Sequence, residues 1–120
     1  MSKKRIMCVE DNQDACELIS TILENCEVLN AYSMADALRL STQKKFDLYL
    51  LDYHLPDGTG LELALLIKNF DTKTPILFVT GSVSMTERQA IKIGAQGVVK
   101  KGTHTFVEEL KKRVTHLLEK

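Results

Sequence analysis

The 120-residue chain is poor in the residues that interrupt structure. Two prolines and six glycines, scattered along it, leave no room for a flexible linker, and no internal repeat or low-complexity segment is present. Lysine plus arginine and aspartate plus glutamate each total 16, so the basic excess typical of nucleic-acid-coating proteins is missing. Three cysteines (Cys8, Cys16 and Cys26) are an odd number without Cys-x-x-Cys spacing. They read as free thiols in a reducing cytoplasm, not as a disulfide framework, a metal site or a redox pair. No apolar run approaches the ~20 residues of a membrane span. The run after Met1-Ser2-Lys3-Lys4-Arg5 is too short for a signal-peptide core. These absences predict a cytoplasmic protein without a membrane segment or direct nucleic-acid contact.

What is present suits one globular domain over 1–120. Hydrophobic residues make up 44% and charged residues 27% of the chain, near globular averages. A chain of this size buries roughly two-thirds of its unfolded surface, so a core forms without staples. Charge is uneven: residues 1–60 carry 6 basic and 10 acidic side chains, and residues 61–120 carry 10 and 6.

Strand and helix patterns alternate. Ile6-Met7-Cys8-Val9 is an apolar run that stops at Glu10-Asp11, as a central parallel strand does. Ala15, Leu18, Ile19, Ile22 and Leu23 mark one face of a helix. A weaker strand covers Val28 to Tyr32, and Ser33 with Asp36 resembles a capping box opening a helix to about Gln43. The strand Leu48 to Leu51 ends at Asp52, a Pro56-Asp57-Gly58 loop follows, and Leu61, Leu65, Leu66 and Phe70 suggest the apolar face of a third helix. Ile76 to Val79 ends at Thr80. A short helix through Ala90, Ile91 and Ile93 stops near Gly94, and Val98-Val99 runs into Lys100-Lys101. Val107, Leu110, Val114, Leu117 and Leu118 complete a final helix, on which His104, His116 and a solvated Lys111-Lys112-Arg113 face are placed. Five strands alternating with five helices imply a doubly wound parallel sheet with helices on both faces. Right-handed crossovers put all strand C-termini, and hence the ligand crevice, on one edge.

That edge collects the polar residues. Glu10 and Asp11 follow the first strand, Asp52 the third, Thr80 the fourth and Lys101 the fifth. Gathered carboxylates repel one another, and a divalent cation relieves the conflict. An all-oxygen donor set without Cys or His points to Mg²⁺ over zinc. Mg²⁺ held by few carboxylates keeps positions open for phosphate oxygens, for which Thr80 and Lys101 are complementary donors. Asp52, on the middle strand, is the natural nucleophile for an acyl-phosphate. Period-two alternation sends Lys100 to the other face from Lys101.

Glu10-Asp11, Leu51-Asp52-Tyr53-His54-Leu55-Pro56-Asp57-Gly58-Thr59-Gly60, Val79-Thr80-Gly81, and Gly94-Ala95-Gln96-Gly97 followed by Lys101 come in order along the whole chain. In these pieces the sequence resembles the receiver domains of two-component response regulators, of the chemotaxis-regulator kind. The resemblance implies a flavodoxin-like (βα)5 fold with strand order 2-1-3-4-5. It makes Asp52 the phosphoacceptor, charged from a phosphohistidine on a sensor histidine kinase or phosphotransfer protein. Glu10 and Asp11 become the acidic pair, Asp11 binding Mg²⁺ directly and Glu10 through water, with the backbone carbonyl of His54 completing the protein ligands. Thr80 becomes the switch hydroxyl and Lys101 the lysine on the phosphoryl group, with backbone N–H groups of Tyr53 and Gly81 as further donors. The chain is then a signalling switch and not an enzyme beyond its own phosphorylation and dephosphorylation. An unknown downstream protein or effector domain reads it, dimerisation through helices four and five is open, and it is either a single-domain regulator or an excised receiver.

Three departures bear on the switch. Val98 stands where many members carry Tyr or Phe, so the aromatic half of the coupling to the threonine is missing. Gly102 replaces a common proline, and Thr80 to Gly94 is shorter than usual in the family. The rival in view is a phosphorylation-independent pseudo-receiver acting as a protein-interaction module. A haloacid-dehalogenase-type phosphatase would want aspartate where His54 stands. A P-loop or a dinucleotide fingerprint would want glycine patterns the chain lacks.

Overall fold

The computed structural model describes residues 3–119; Met1, Ser2 and Lys120, the ends of the expected 1–120 domain, lie outside the described residues. In chain order the elements are β1 (Arg5–Val9), α1 (Gln13–Ile22), β2 (Glu27–Ala31), α2 (Met34–Gln43), β3 (Leu48–Leu51), β4 (His54–Leu55), β5 (Gly58–Thr59), α3 (Gly60–Phe70), β6 (Ile76–Thr80), α4 (Glu87–Lys92), β7 (Val98–Lys100) and α5 (Phe106–Leu118). The main sheet runs β2-β1-β3-β6-β7 with every pairing parallel. Counting sheet strands alone, that is the expected 2-1-3-4-5. β4 and β5 form a separate antiparallel hairpin where the sequence suggests only a loop.

Alternate residues of the central strands feed two cores. Ile6, Cys8, Leu48, Leu50, Leu77, Val79 and Val99 pack with α1 and α5. Met7, Val9, Tyr49, Leu51, Phe78 and Val98 pack with α2, α3 and α4. Both faces of each strand are thus apolar, as in parallel sheets covered on both sides. Cys8 is buried in the first of these cores. Cys8→Ala is expected to cost ~1–2 kcal/mol through the lost contacts and the residual cavity. A urea midpoint unchanged at unchanged slope would contradict this.

Local signals set the helix starts. Asn12 Oδ1 accepts from Ala15 N–H at 2.9 Å and caps α1. Ser33 Oγ accepts from Asp36 N–H at 3.0 Å, but the Asp36 carboxylate takes the Tyr32 N–H instead of returning to Ser33, so the expected box is only half made. Reciprocal capping boxes occur at Thr59 with Glu62 and Thr86 with Gln89.

The Asp57 carboxylate accepts from Met34 N–H at 2.8 Å and Ala35 N–H at 3.0 Å, so the hairpin turn caps α2 from outside that helix. The Ala35 and Met34 N–H groups, in that order, hold the Asp57 carboxyl below the ordinary aspartate value. A depressed folded pKa adds stability above the unfolded pKa, and that stability is lost as pH falls through the folded value. Asp57→Ala is therefore expected to lower the urea midpoint at neutral pH, with the gap to wild type closing in acid. A gap independent of pH would refute the capping role.

The third helix is rotated from expectation. Gly60, Leu63, Ala64 and Ile67 face the core, and Leu65, Leu66 and Phe70 are exposed. Leu18, Ile91 and Val107 are likewise exposed beside the buried positions of their helices. His104 precedes α5 and does not lie on it. Arg113, assigned to a solvated face, donates to Glu87 Oε2 at 3.1 Å and to the Gln96 carbonyl at 3.0 Å, fastening α5 to α4.

Candidate functional site

Glu10, Asp11, Asp52, His54, Thr80 and Lys101 line one open crevice at the C-terminal edge of the sheet. Parallel pairing is the cause. The Glu10 N–H donates to Ala31 and the Asp52 N–H to Val9, so the ladder continues past β1 and β3 and carries both carboxylates to the same level. One carboxylate oxygen from each of Glu10, Asp11 and Asp52 lies within 4.8 Å of the other two.

Glu10 is only 2% exposed. Its Oε2 accepts from Asn12 N–H at 2.9 Å, and its Oε1 pairs with the Lys101 ammonium. Lys101 Nζ also lies 3.5 Å from Asp52 Oδ2, and Tyr53 N–H donates to Asp52 Oδ1 at 2.7 Å. Burial pushes the Glu10 carboxyl above its ordinary value against the opposing Lys101 and Asn12 contacts. Burial by itself would lower the Lys101 pKa, but the Glu10 hydrogen bond and Asp52 outweigh it and raise it. One ammonium thus spans the two carboxylates it touches, while Asp11 stands at the exposed rim.

Thr80 is buried at the end of β6, with its Oγ1 accepting from Ser82 N–H at 3.1 Å. His54 is exposed in the hairpin and stacks edge-on against Tyr53, ring centroids 5.0 Å apart. Lys100 turns away from Lys101, as alternation requires, but it is not idle: its ammonium donates to the Ser82 and Met85 carbonyls at 2.5 and 2.9 Å. Val98 is buried against the α4 side. Gly102 has φ +82°, a conformation closed to proline, whose ring holds φ near −65°.

Sequence reasoning missed Asn12, Asp57 and the loop contacts of Lys100, whose face it placed correctly. Asn12 was visible as an N-cap type ahead of an amphipathic run. Asp57 and Lys100 act across the fold, and no local spacing announces them.

A doubly wound parallel sheet with an acidic, lysine-compensated crevice at its carboxyl edge defines a flavodoxin-like α/β domain. The description "Response regulator receiver domain" matches residues 6–115, and the chain belongs to that family. It is 35% identical over 98 residues to the response regulator protein PilR of Pseudomonas aeruginosa, covering 79% of this chain and 22% of that protein. It is 34% identical over 122 aligned positions to the transcription factor prr1 of Schizosaccharomyces pombe, covering 96% of this chain and 22% of that protein. The chain thus spans about a fifth of either relative. Among solved structures, the non-phosphorylated HemR receiver domain of Leptospira biflexa superposes with a TM-score of 0.87 at 31% identity, covering 98% of this chain and 96% of that one. Among the described residues, no helix is long and apolar enough to cross a membrane.

Proposed function

We propose that this domain accepts a phosphoryl group on Asp52 from a phosphohistidine of a sensor histidine kinase or phosphotransfer protein. The surface of β6, β7 and α4 then changes and is read by a downstream protein or effector domain. The observation that carries the reading is the meeting of three carboxylates and one ammonium, drawn from three strand ends, within one crevice. Free Cys8, Cys16 and Cys26 suit a reducing compartment, the cytoplasm.

Three carboxylates against one lysine leave negative charge for a cation, and oxygen-only donors suit Mg²⁺. Asp11, Asp52 and the backbone carbonyl of His54 would hold it, with Glu10 acting through water. Once bound, Mg²⁺ offsets charge on the transferring group and leaves open positions for its oxygens. An Asp52 carboxylate oxygen attacks phosphorus in line. The phosphorus–nitrogen bond to the donor imidazole breaks, and its electron pair leaves with the nitrogen. Tyr53 N–H restrains one Asp52 oxygen, and Lys101 faces the other. Positioning and charge neutralisation supply the catalysis. The product places about −2 charge in the crevice, where the Thr80 hydroxyl and the Gly81 N–H are donors.

Wild type incubated with Mg²⁺ and acetyl phosphate is expected to gain one phosphoryl group by intact mass. The gain should vanish with chelator and in Asp52→Asn. A wild type that stays unmodified would sink the reading in favour of an interaction module.

A further inference from the structure

Resting on the phosphoacceptor reading of Asp52, we propose that Lys100 is a positioning residue. It holds the loop between β6 and α4 in its resting arrangement and so sets how readily Thr80 turns to a phosphoryl group.

Thr80 and Lys100 are register partners across β6 and β7. The residues two positions earlier, Phe78 and Val98, pack in the same core with Ala90 of α4. Alternation therefore sends Thr80 and Lys100 off the sheet on one face, the face of α4. There the Lys100 ammonium donates to two carbonyls that converge from opposite ends of the loop, Ser82 at 2.5 Å and Met85 at 2.9 Å. Other fastening is local: Ser84 N–H donates to Ser82 Oγ at 3.0 Å and Thr86 N–H to Gln89 Oε1 at 2.9 Å, Val83 at the loop tip is 89% exposed, and Met85 is buried.

Ser82 is thereby gripped from two sides. Its N–H donates to Thr80 Oγ1 at 3.1 Å, and its carbonyl accepts from Lys100. Turning the Thr80 side chain towards a phosphoryl oxygen breaks the first bond. Ser82 follows only if the second yields as well. Val98 is too small to sweep between two positions as an aromatic ring would. The coupling from Thr80 to β7 therefore runs through the lysine beside it. An ammonium offers three donors, and hydrogen bonds to charged groups are among the stronger ones, each amounting to about tenfold or more in an opening equilibrium.

Lys100→Met keeps the apolar stem and removes the donors. In the ligand-free protein, hydrogen exchange of the hydrogen-bonded Ser82 and Ser84 amides is expected to rise about tenfold or more, with β1 and β3 amides as slow as in wild type. Affinity for beryllofluoride, a phosphoryl mimic added with Mg²⁺, should tighten several-fold while affinity for Mg²⁺ alone stays unchanged. Merely structural damage would weaken both. Unchanged exchange overturns the tether, whatever Asp52 does. A loosened loop with equal or weaker beryllofluoride affinity overturns the restraint on Thr80. A wild type that takes up no beryllofluoride brings down the phosphoacceptor reading itself, and this restraint with it.

Discussion

Lys101→Met is expected to remain folded but to lose about 3 kcal/mol of stability in chelator, and to respond weakly to a phosphoryl mimic. The ammonium is the hydrogen-bonding cation of Glu10, a carboxylate only 2% exposed, and it also faces Asp52 at 3.5 Å. Removing one partner of a buried pair leaves an uncompensated charge, which costs about 3–5 kcal/mol. The lower end applies because Lys101 is 22% exposed and partly screened. The loss has a ceiling, since Glu10, whose carboxyl burial already pushes up, can take a proton in place of the lysine. A raised folded carboxyl pKa destabilises above the unfolded value. The variant's deficit should therefore grow as pH rises from the ordinary glutamate range and level off above the folded pKa. Mg²⁺ should stabilise the variant more than wild type, because the cation then replaces the lysine's charge among the three carboxylates. Urea titrations across pH, with chelator and with Mg²⁺, check each part. A deficit that is flat with pH and indifferent to Mg²⁺ would mean that Lys101 serves only as packing. Unchanged activation by the phosphoryl mimic would remove it from the site.

The sheet and its crevice were legible in the sequence because both follow from simple patterns. Apolar runs ending in Glu10-Asp11, Asp52, Thr80 and Lys101 can form a covered parallel sheet in few ways, and its carboxyl edge collects whatever ends the strands. The helix faces were less legible. Gly60-Leu61-Glu62-Leu63-Ala64-Leu65-Leu66-Ile67 is apolar around most of its circumference, so spacing alone fits two stripes. The choice between them comes from the Thr59–Glu62 box and from Gly60 seated on the Asp52 backbone, which set how the helix enters. Asp57 on α2 and Lys100 on the loop carbonyls are tertiary contacts of residues whose local surroundings suggest a plain turn and a plain strand end. Arg113 was hidden in the same way, since a basic triplet on a helix looks solvated until Glu87 is placed opposite it.

Gly60→Ala should be the most damaging single-methyl addition near the site, costing about 3 kcal/mol and slowing modification of Asp52. A Cβ on Gly60 would sit 2.1 Å from the Asp52 carbonyl oxygen, 3.1 Å from its carbon and 3.2 Å from Phe78 Cε1. The obstacle is backbone on one side and a fully buried ring on the other, so neither gives way as a flexible side-chain end would. Gly60 N–H also donates to the Tyr53 carbonyl at 2.6 Å, which pins α3 against the segment leaving Asp52. Overpacking in such surroundings typically costs ~1–3 kcal/mol, with rigid obstacles at the upper end. Helix propensity pulls the other way, since alanine is favoured over glycine by about 1 kcal/mol inside a helix, so the sign of the measured change separates the two effects. Gly81→Ala is the internal control: it also lines the crevice, but its added Cβ meets nothing within 4 Å, and it should stay within about 0.5 kcal/mol of wild type. Urea midpoints at constant slope, with the rate of labelling by acetyl phosphate, give the comparison. If Gly60→Ala were as stable as wild type, or more so, α3 would have room to retreat. The close seating of its first turn on Asp52 would then not be what orients that carboxylate.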